Sequence, residues 1–500
     1  MVRIALSIAA VWLAVISPAH SAEKTPTVYI LLWFDTEDYL LPASDDAALK
    51  VAEWLRKEEI TATFKVVGEK ARTLEKRGRK DVIEALKKHE IGYHSNYHSV
   101  QPTPAMYMSA LGWDEGVAEF DRREKPGYDD VKRIFGQTPS CYGQPGSSWG
   151  PQSYGAMRKW GMPVYLDSGK HIGLEGKPMY YGGALNIYNH TDTLRTKLEG
   201  EGELQKAQDR FVETHKKLVA EGGGVVSIYY HPCEFVHKEF WDGVNFRNGA
   251  NPPREQWKKP EQKTEEESKA AYEQFFAYVR FIKRFADVKF ITAKQAAELY
   301  KDKSNGELFD AFSMHAIGKS ARKGLTYQVR GSMSLAPSEV LLILSSFVHA
   351  MTTRGGMGVD EVMELRQTPF GPSSPPRTME PKVTTDGNQF ARTAKDVRDY
   401  IITHGRVPST VWLGSQAVTP EAFLAALAIV AADAGGRAPD TIELTPSTLE
   451  TEKYVADDNP KLWGWVIFPK GFDAPDMMSL ARRQAWTIKP AIFHDAVKMK

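Results

Sequence analysis

Across 500 residues, 64 Lys and Arg face 63 Asp and Glu, a net charge of +1. That balance gives no electrostatic reason to expect nucleic acid or an anionic membrane surface as a partner. The length exceeds one ordinary domain, and a 42 % hydrophobic share can fill the cores of two or three soluble ones.

Arg3 precedes the apolar run IALSIAAVWLAVI, and Pro18 and AHSA follow it. The pattern predicts a signal peptide over residues 1–22, cut after Ser21 or Ala22. The run is short for a bilayer span, no cysteine follows it for lipid attachment, and no later stretch is long and apolar enough to cross a membrane. A secreted or periplasmic mature protein is expected. In an oxidising compartment Cys141 and Cys233 are able to pair, with two buried free thiols as the alternative.

From 25 to 302 strand and helix signals alternate. TVYILLWF is a continuous apolar run, as in a strand buried on both faces. Helical spacing through Ala48, Val51 and Leu55 follows, then strand-like TATFKVV, helical DVIEALKKHE and the strand EIGY. MPVYL and GVVSIYYH read as further strands, AYEQFFAYVRFIKRF as an amphipathic helix, and VKFITAKQAAELY as strand, Thr cap and helix. Repeated βα units predict an α/β fold with a parallel sheet or barrel. The polar stretch 242–268 reads as an exposed excursion.

From 305 to 500 a smaller, mixed, helix-rich region is expected, interrupted by the Pro-rich TPFGPSSPPRTMEP. On either side, YQVRGSMSLAPSEVLLIL and TVWLGSQAVTPEAFLAAL both run strand, Gly-Ser, Pro six residues after the Gly, then an apolar helix. Pro337 and Pro420 suit a first helical turn. Two related strand–turn–helix units are the expectation, with chance similarity as the alternative.

Chemistry concentrates in WFDTEDY, where Asp35, Glu37 and Asp38 crowd the end of the first strand. Like charges that close resist joint ionisation unless a cation sits among them. His94 and His98, after EIGY, share one side if that segment turns helically. Strand C-termini of parallel α/β folds converge on one face. Two imidazoles and one carboxylate then make a three-ligand site with room for water, the catalytic zinc pattern. Along a strand Asp35 and Glu37 share a face, which favours Glu37 as ligand and Asp35 as base, with Asp38 as the fallback ligand. Zinc is the default for such a ligand set.

FDTED, HSNYH, YLDS and YYHPCEF, in this order, resemble the motifs of polysaccharide deacetylases of the NodB-homology type over roughly residues 25–300. The resemblance implies a distorted (β/α) barrel of about seven strands and metal-dependent removal of acetyl groups, N-acetyl above all, from an acetylated polysaccharide or oligosaccharide. It implies Glu37 or Asp38, His94 and His98 as metal ligands and Asp35 as general base. His231 would be the general acid, Asp167 the group that orients or charge-stabilises it, and the amide near Gly146 an oxyanion donor. Gly146, Trp149 and Tyr142 are the candidates for substrate binding; Trp149 reads equally as a sugar platform or a core residue. One position departs from the pattern. Gly143 stands where the family's third motif has an Arg that pairs with the base, so another cation substitutes or activity is impaired.

Two alternatives follow. The loss of that Arg suits a carbohydrate-binding relic of the deacetylase scaffold. GSSWG, 146–150, matches a Gly-x-Ser-x-Gly elbow and suggests a serine hydrolase using Ser148 with His231 as base, although Pro151 suits the following helix poorly. The C-terminal region is a candidate for binding a cell-wall or surface polymer. His171, His190, His215 and His237 are taken as surface or packing residues.

Overall fold

The computed structural model describes residues 26–167, 169–188, 194–353, 362–433 and 440–494. The signal peptide and His190 lie outside the described residues. Nine strands build the N-terminal part: β1 (Val28–Thr36), β2 (Thr63–Val66), β3 (Glu90–Tyr93), β4 (Cys141–Tyr142), β5 (Val164–Asp167), β6 (Met179–Tyr181), β7 (Ala184–Tyr188), β8 (Gly224–Tyr230) and β9 (Val288–Ile291). They lie in the order β6-β7-β5-β4-β3-β2-β1-β8. All pairings are parallel except β6 with β7. β8 runs along Val28–Phe34 of β1. The other edge of β1 is divided, with β9 against Val28–Leu31 and β2 against Trp33–Thr36. Helices fill most crossovers between parallel strands, whereas β5 reaches β7 through β6. The result is a distorted (β/α) barrel, and among the described residues β8 has no strand on its far edge.

β1 is buried along its whole length, which explains its unbroken apolar run. Its two faces serve different cores. Val28, Ile30, Leu32 and Phe34 pack with Val51 and Leu55 of the helix Pro42–Lys57. Tyr29, Leu31 and Trp33 pack with Val164, Leu166, Leu185 and Leu299 inside the curl of the sheet. Asp35 continues that interior face, so the period of two delivers its carboxylate to the C-terminal rim. Thr292 caps the helix Ala293–Leu299 with a reciprocal bond from Gln295, as expected for this strand–cap–helix segment.

The C-terminal region holds the expected pair of units in an enlarged form. The hairpins Gln328–Arg330/Met333–Leu335 and Val411–Leu413/Gln416–Val418 each precede an apolar helix, Pro337–Thr353 or Pro420–Ala432. Each unit is also framed by an antiparallel pair: Glu307–Asp310 with Val362–Leu365, and Val383–Asp386 with Thr441–Leu444. A further helix begins after Asp310 and Asp386, both of which cap it through a side-chain oxygen. The repeated order is thus strand, helix, hairpin, helix, strand. After the second unit the chain returns to the barrel, and Lys489–Pro490 pairs with β6. Among the described residues no helix is long and apolar enough to cross a membrane.

Of the two readings of the cysteines, the free-thiol one holds: Cys141 and Cys233 are both free and buried. The stretch 242–268 is largely exposed, as expected, but it is anchored: its Phe246 and partly buried Trp257 form an aromatic cluster with Tyr39, Val67, Trp241 and Ile467 beside the rim.

Candidate metal centre and active site

At the C-terminal rim the carboxylate of Glu37 meets three imidazoles. Its Oε2 lies 2.8 Å from His98 Nε2, 3.7 Å from His94 Nε2 and 3.8 Å from His231 Nε2. Glu37, His94 and His98 are buried, and their ligand atoms all lie within 4.8 Å of one another. The two histidines do not meet through a helical turn. His94 follows the end of β3, and Ser95 and His98 take left-handed φ values of +67° and +57°. Such backbone costs on the order of 1–3 kcal/mol per residue and persists where the surroundings enforce it.

Each imidazole is fixed by its other nitrogen. His94 Nδ1 lies 3.0 Å from the Gly143 carbonyl; a carbonyl only accepts, so Nδ1 donates, and Nε2 is turned to Glu37. His98 Nδ1 bonds Ser99 Oγ at 2.6 Å. Its Nε2 is buried and faces Glu37 Oε2 at 2.8 Å, out of line for a good hydrogen bond. A buried polar atom held in poor hydrogen-bond geometry is costly, and a cation shared with Glu37 and His94 would give it a well-placed partner. The donor set of two imidazoles and one carboxylate therefore fits a divalent metal.

Charge reinforces this arrangement. Burial pushes Glu37 up, but His98, His231 and His94 outweigh it and hold the carboxyl well below its usual range. Burial lowers His98, and Glu37 reverses this and raises it. His231 is likewise opposed by burial, yet Glu37, Glu234 and Asp35 push it up to about 9.

Asp38, the fallback ligand, is excluded by its contacts. Its Oδ1 accepts from the amides of Leu40 at 2.7 Å and Leu41 at 3.4 Å, and its Oδ2 faces His237 Nδ1 at 3.3 Å. Asp38 closes the turn after β1. Asp35 points into the rim, with Oδ2 3.7 Å from His231 Nε2 and Oδ1 3.0 Å from Lys65 Nζ.

Lys65 answers the question raised by Gly143. Its fully buried ammonium lies 2.9 Å from Asp167 Oδ2, 2.8 Å from the Leu166 carbonyl and 4.1 Å from the centre of the Trp33 ring. A Cβ at position 143 would fall 2.0 Å from Lys65 Nζ. The cation beside Asp35 therefore comes from β2, and position 143 is left bare to admit it.

Asp167 consequently serves Lys65, not His231. His231 Nδ1 bonds Glu234, and Glu234 in turn binds Arg195. Burial opposes ionisation of Glu234, but Arg195 and His231 bring its carboxyl down to about 2. Glu234 stands in the quoted YYHPCEF; its place three residues after His231 on a tight turn, Pro232–Phe235, was the available signal.

These groups open into a cavity of about 420 Å³ lined by Asp35, Glu37, His94, His98, Asp167 and His231. Gly146 lines it too, with φ +53°. Tyr142 and Trp149 do not. Tyr142 is buried against Tyr93, Phe120 and Tyr165. Trp149 is buried with its ring stacked on His171 at 4.9 Å, so of its two readings the core one holds. Ser148 is fully buried; its hydroxyl donates to Thr103 Oγ1 and accepts from the Ala105 amide, both at 2.8 Å. A helix, Gln152–Trp160, does follow Pro151, but the serine is a structural link and not a nucleophile. His171 sits between Trp149 and Trp463, His215 pairs with Asp287 at 3.0 Å, and His237 is buried beside Asp38.

No protein-family model matches the chain, and no curated protein matches it. Solved structures do align with it. A Mycobacterium smegmatis protein described as a polysaccharide deacetylase is 15 % identical, covering 56 % of this chain and 91 % of its own, with a TM-score of 0.36. A family 4 carbohydrate esterase from Streptomyces lividans is 18 % identical over 42 % of this chain and 82 % of its own, TM-score 0.25. An allantoinase is 13 % identical over 55 % and 91 %, TM-score 0.36. These likenesses are distant and reach at most 56 % of the chain.

Proposed function

We propose that the protein is an exported, metal-dependent deacetylase acting on an acetylated saccharide, with the N-acetyl group as its preferred target. The observation that supports this most directly is the convergence of Glu37, His94 and His98 beside two further groups suited to proton transfer, Asp35 and His231. A divalent cation held by the first three, zinc by default, would supply Lewis acidity to an acyl carbonyl and raise the acidity of water.

The remaining chemistry belongs to the side chains. Asp35 is the general base, held by Lys65 with its Oδ2 turned to the cavity. His231 is the general acid. The bond from Nδ1 to Glu234 favours the protonated ring and leaves Nε2 to deliver a proton to the departing nitrogen. Arg195 keeps Glu234 ionised and in place. The inactive-relic alternative rested on the missing Arg at position 143, and Lys65 removes that ground. Export is supported by the leader sequence, and attachment of the C-terminal region to a cell-wall polymer stays a proposal carried by its repeated units.

The test is acetate release from N-acetylated oligosaccharides by protein stripped with a chelator and reloaded with zinc. Activity is expected to vanish and return. His94→Ala is expected to lose both metal and turnover, whereas Asp35→Asn loses turnover by roughly 10²–10⁴-fold and keeps the metal. Full activity in both variants would overturn the assignment.

A further inference from the structure

One wall of the catalytic cavity comes from the far end of the chain. Trp465 and Val466 line it together with the metal-binding residues. They belong to a loop well outside the barrel sequence, yet that loop is tied to the rim by several bonds. The Trp465 amide donates to Ser147 Oγ at 3.1 Å, and its indole Nε1 donates to Asp242 Oδ2 at 2.7 Å. The amides of Asn248 and Gly249 donate to the carbonyls of Val466 and Ile467 at 2.9 and 3.1 Å. Ile467 is buried in the aromatic cluster around Trp241.

The barrel makes room for this ring. A Cβ at Gly146 would fall 2.2 Å from Trp465 Cδ2, so the indole lies against a bare α-carbon. Its edge meets His98, with ring centres 5.2 Å apart at 82°. Across the cavity Phe240, 37 % exposed, stands edge-on to His231 at 4.9 Å. Two aromatic rings thus flank the reacting position, one beside a metal-binding histidine and one beside the general acid. Only the first is fixed by a buried carboxylate. Trp465 is partly exposed. A fully core-packed ring would not line the cavity, and a ring with no partner for Nε1 would not be held there.

We infer that Trp465 contacts the substrate and sets specificity: its indole receives the C–H face of the pyranose that carries the acetyl group. A sugar ring combines an apolar face with polar edges, and the cavity combines an aromatic surface with polar groups such as Asp242 and Gln144. This rests on the deacetylase reading and extends it, because the C-terminal part then completes the active site.

The experiment compares two substrates, a tetramer of N-acetylglucosamine and 4-nitrophenyl acetate, which has an acetyl group but no sugar. Wild type, Trp465→Ala, Trp465→Leu and Trp465→Phe are assayed after zinc loading, with bound zinc and thermal midpoint measured for each. Trp465→Leu and Trp465→Ala are expected to raise KM for the tetramer roughly tenfold, to affect 4-nitrophenyl acetate turnover far less than tetramer turnover, with zinc still bound, and Trp465→Phe to retain most tetramer affinity. If Trp465→Ala does not fold, the Phe and Leu variants carry the comparison, since only one keeps a flat ring. Equal effects on both substrates, or none on the tetramer, would overturn the inference. Zinc-loaded wild type inert toward both substrates would overturn the deacetylase reading, and this inference with it.

Discussion

A Cβ at Gly143 would collide with the Lys65 ammonium, so positions 65 and 143 constrain each other. Lys65 lies between two buried carboxylates, Asp35 and Asp167, and its removal leaves them facing each other without a cation. Lys65→Met is therefore expected to lower stability by roughly 3–5 kcal/mol and to abolish turnover. Thermal midpoint and acetate release check both effects; a Lys65→Met protein as stable and as active as wild type would show that the charge beside Asp35 is not what Lys65 provides. Glu37, His94 and His98 were legible in the sequence because each stands in a short motif of metal-ligating residues at the end of a strand-like run. Lys65 was not, although a lone charge inside the strand-like TATFKVV was its trace. Its partners are Asp35, thirty residues before it, and Asp167 on β5, and only the sheet register Asp35↔Lys65 brings the first pair side by side. Trp149 was ambiguous for the same reason, since its fate depended on His171 and Tyr181.

At the scale of elements, the duplicated hairpins turn on Gly331 and Gly414, with φ of +59° and +63° and open space where a Cβ would be. Backbone conformation alone makes glycine favourable at these corners. Gly414→Ala is expected to cost about 1 kcal/mol in a denaturant titration and to leave acetate release unchanged. The Gly-Ser and Pro spacing exposed these units in the sequence. The framing strands stayed hidden because ELFD and VTTD are short and lack the alternation of a half-buried strand, and each pairs with a segment more than fifty residues on. The histidine loop misled for a different reason. A pair four residues apart suits a helix, but Ser95 and His98 adopt left-handed backbone, which residue type does not announce.

At the scale of the molecule, the final segment stitches the repeated units to the barrel. Lys489, fully buried, lies 2.7 Å from Glu339 Oε1 on the helix Pro337–Thr353 and 2.7 Å from Asp302 Oδ2, where the barrel sequence ends. Lys489→Met leaves both carboxylates unpaired and is expected to lower stability by roughly 3–5 kcal/mol, read as a fall in the thermal midpoint. Two separate transitions, with the barrel's midpoint unmoved, would show that the parts fold independently. The barrel class was legible from alternating strand and helix patterns, whereas the return of residues near 465 and 489 was not, because those contacts span most of the chain. The central claim is that one divalent cation is gathered by Glu37, His94 and His98, and anomalous diffraction at the zinc absorption edge from zinc-soaked crystals tests it most directly. A single strong peak among Glu37 Oε2, His94 Nε2 and His98 Nε2 is predicted. No peak there at saturating zinc, or a peak only at other residues, would contradict it.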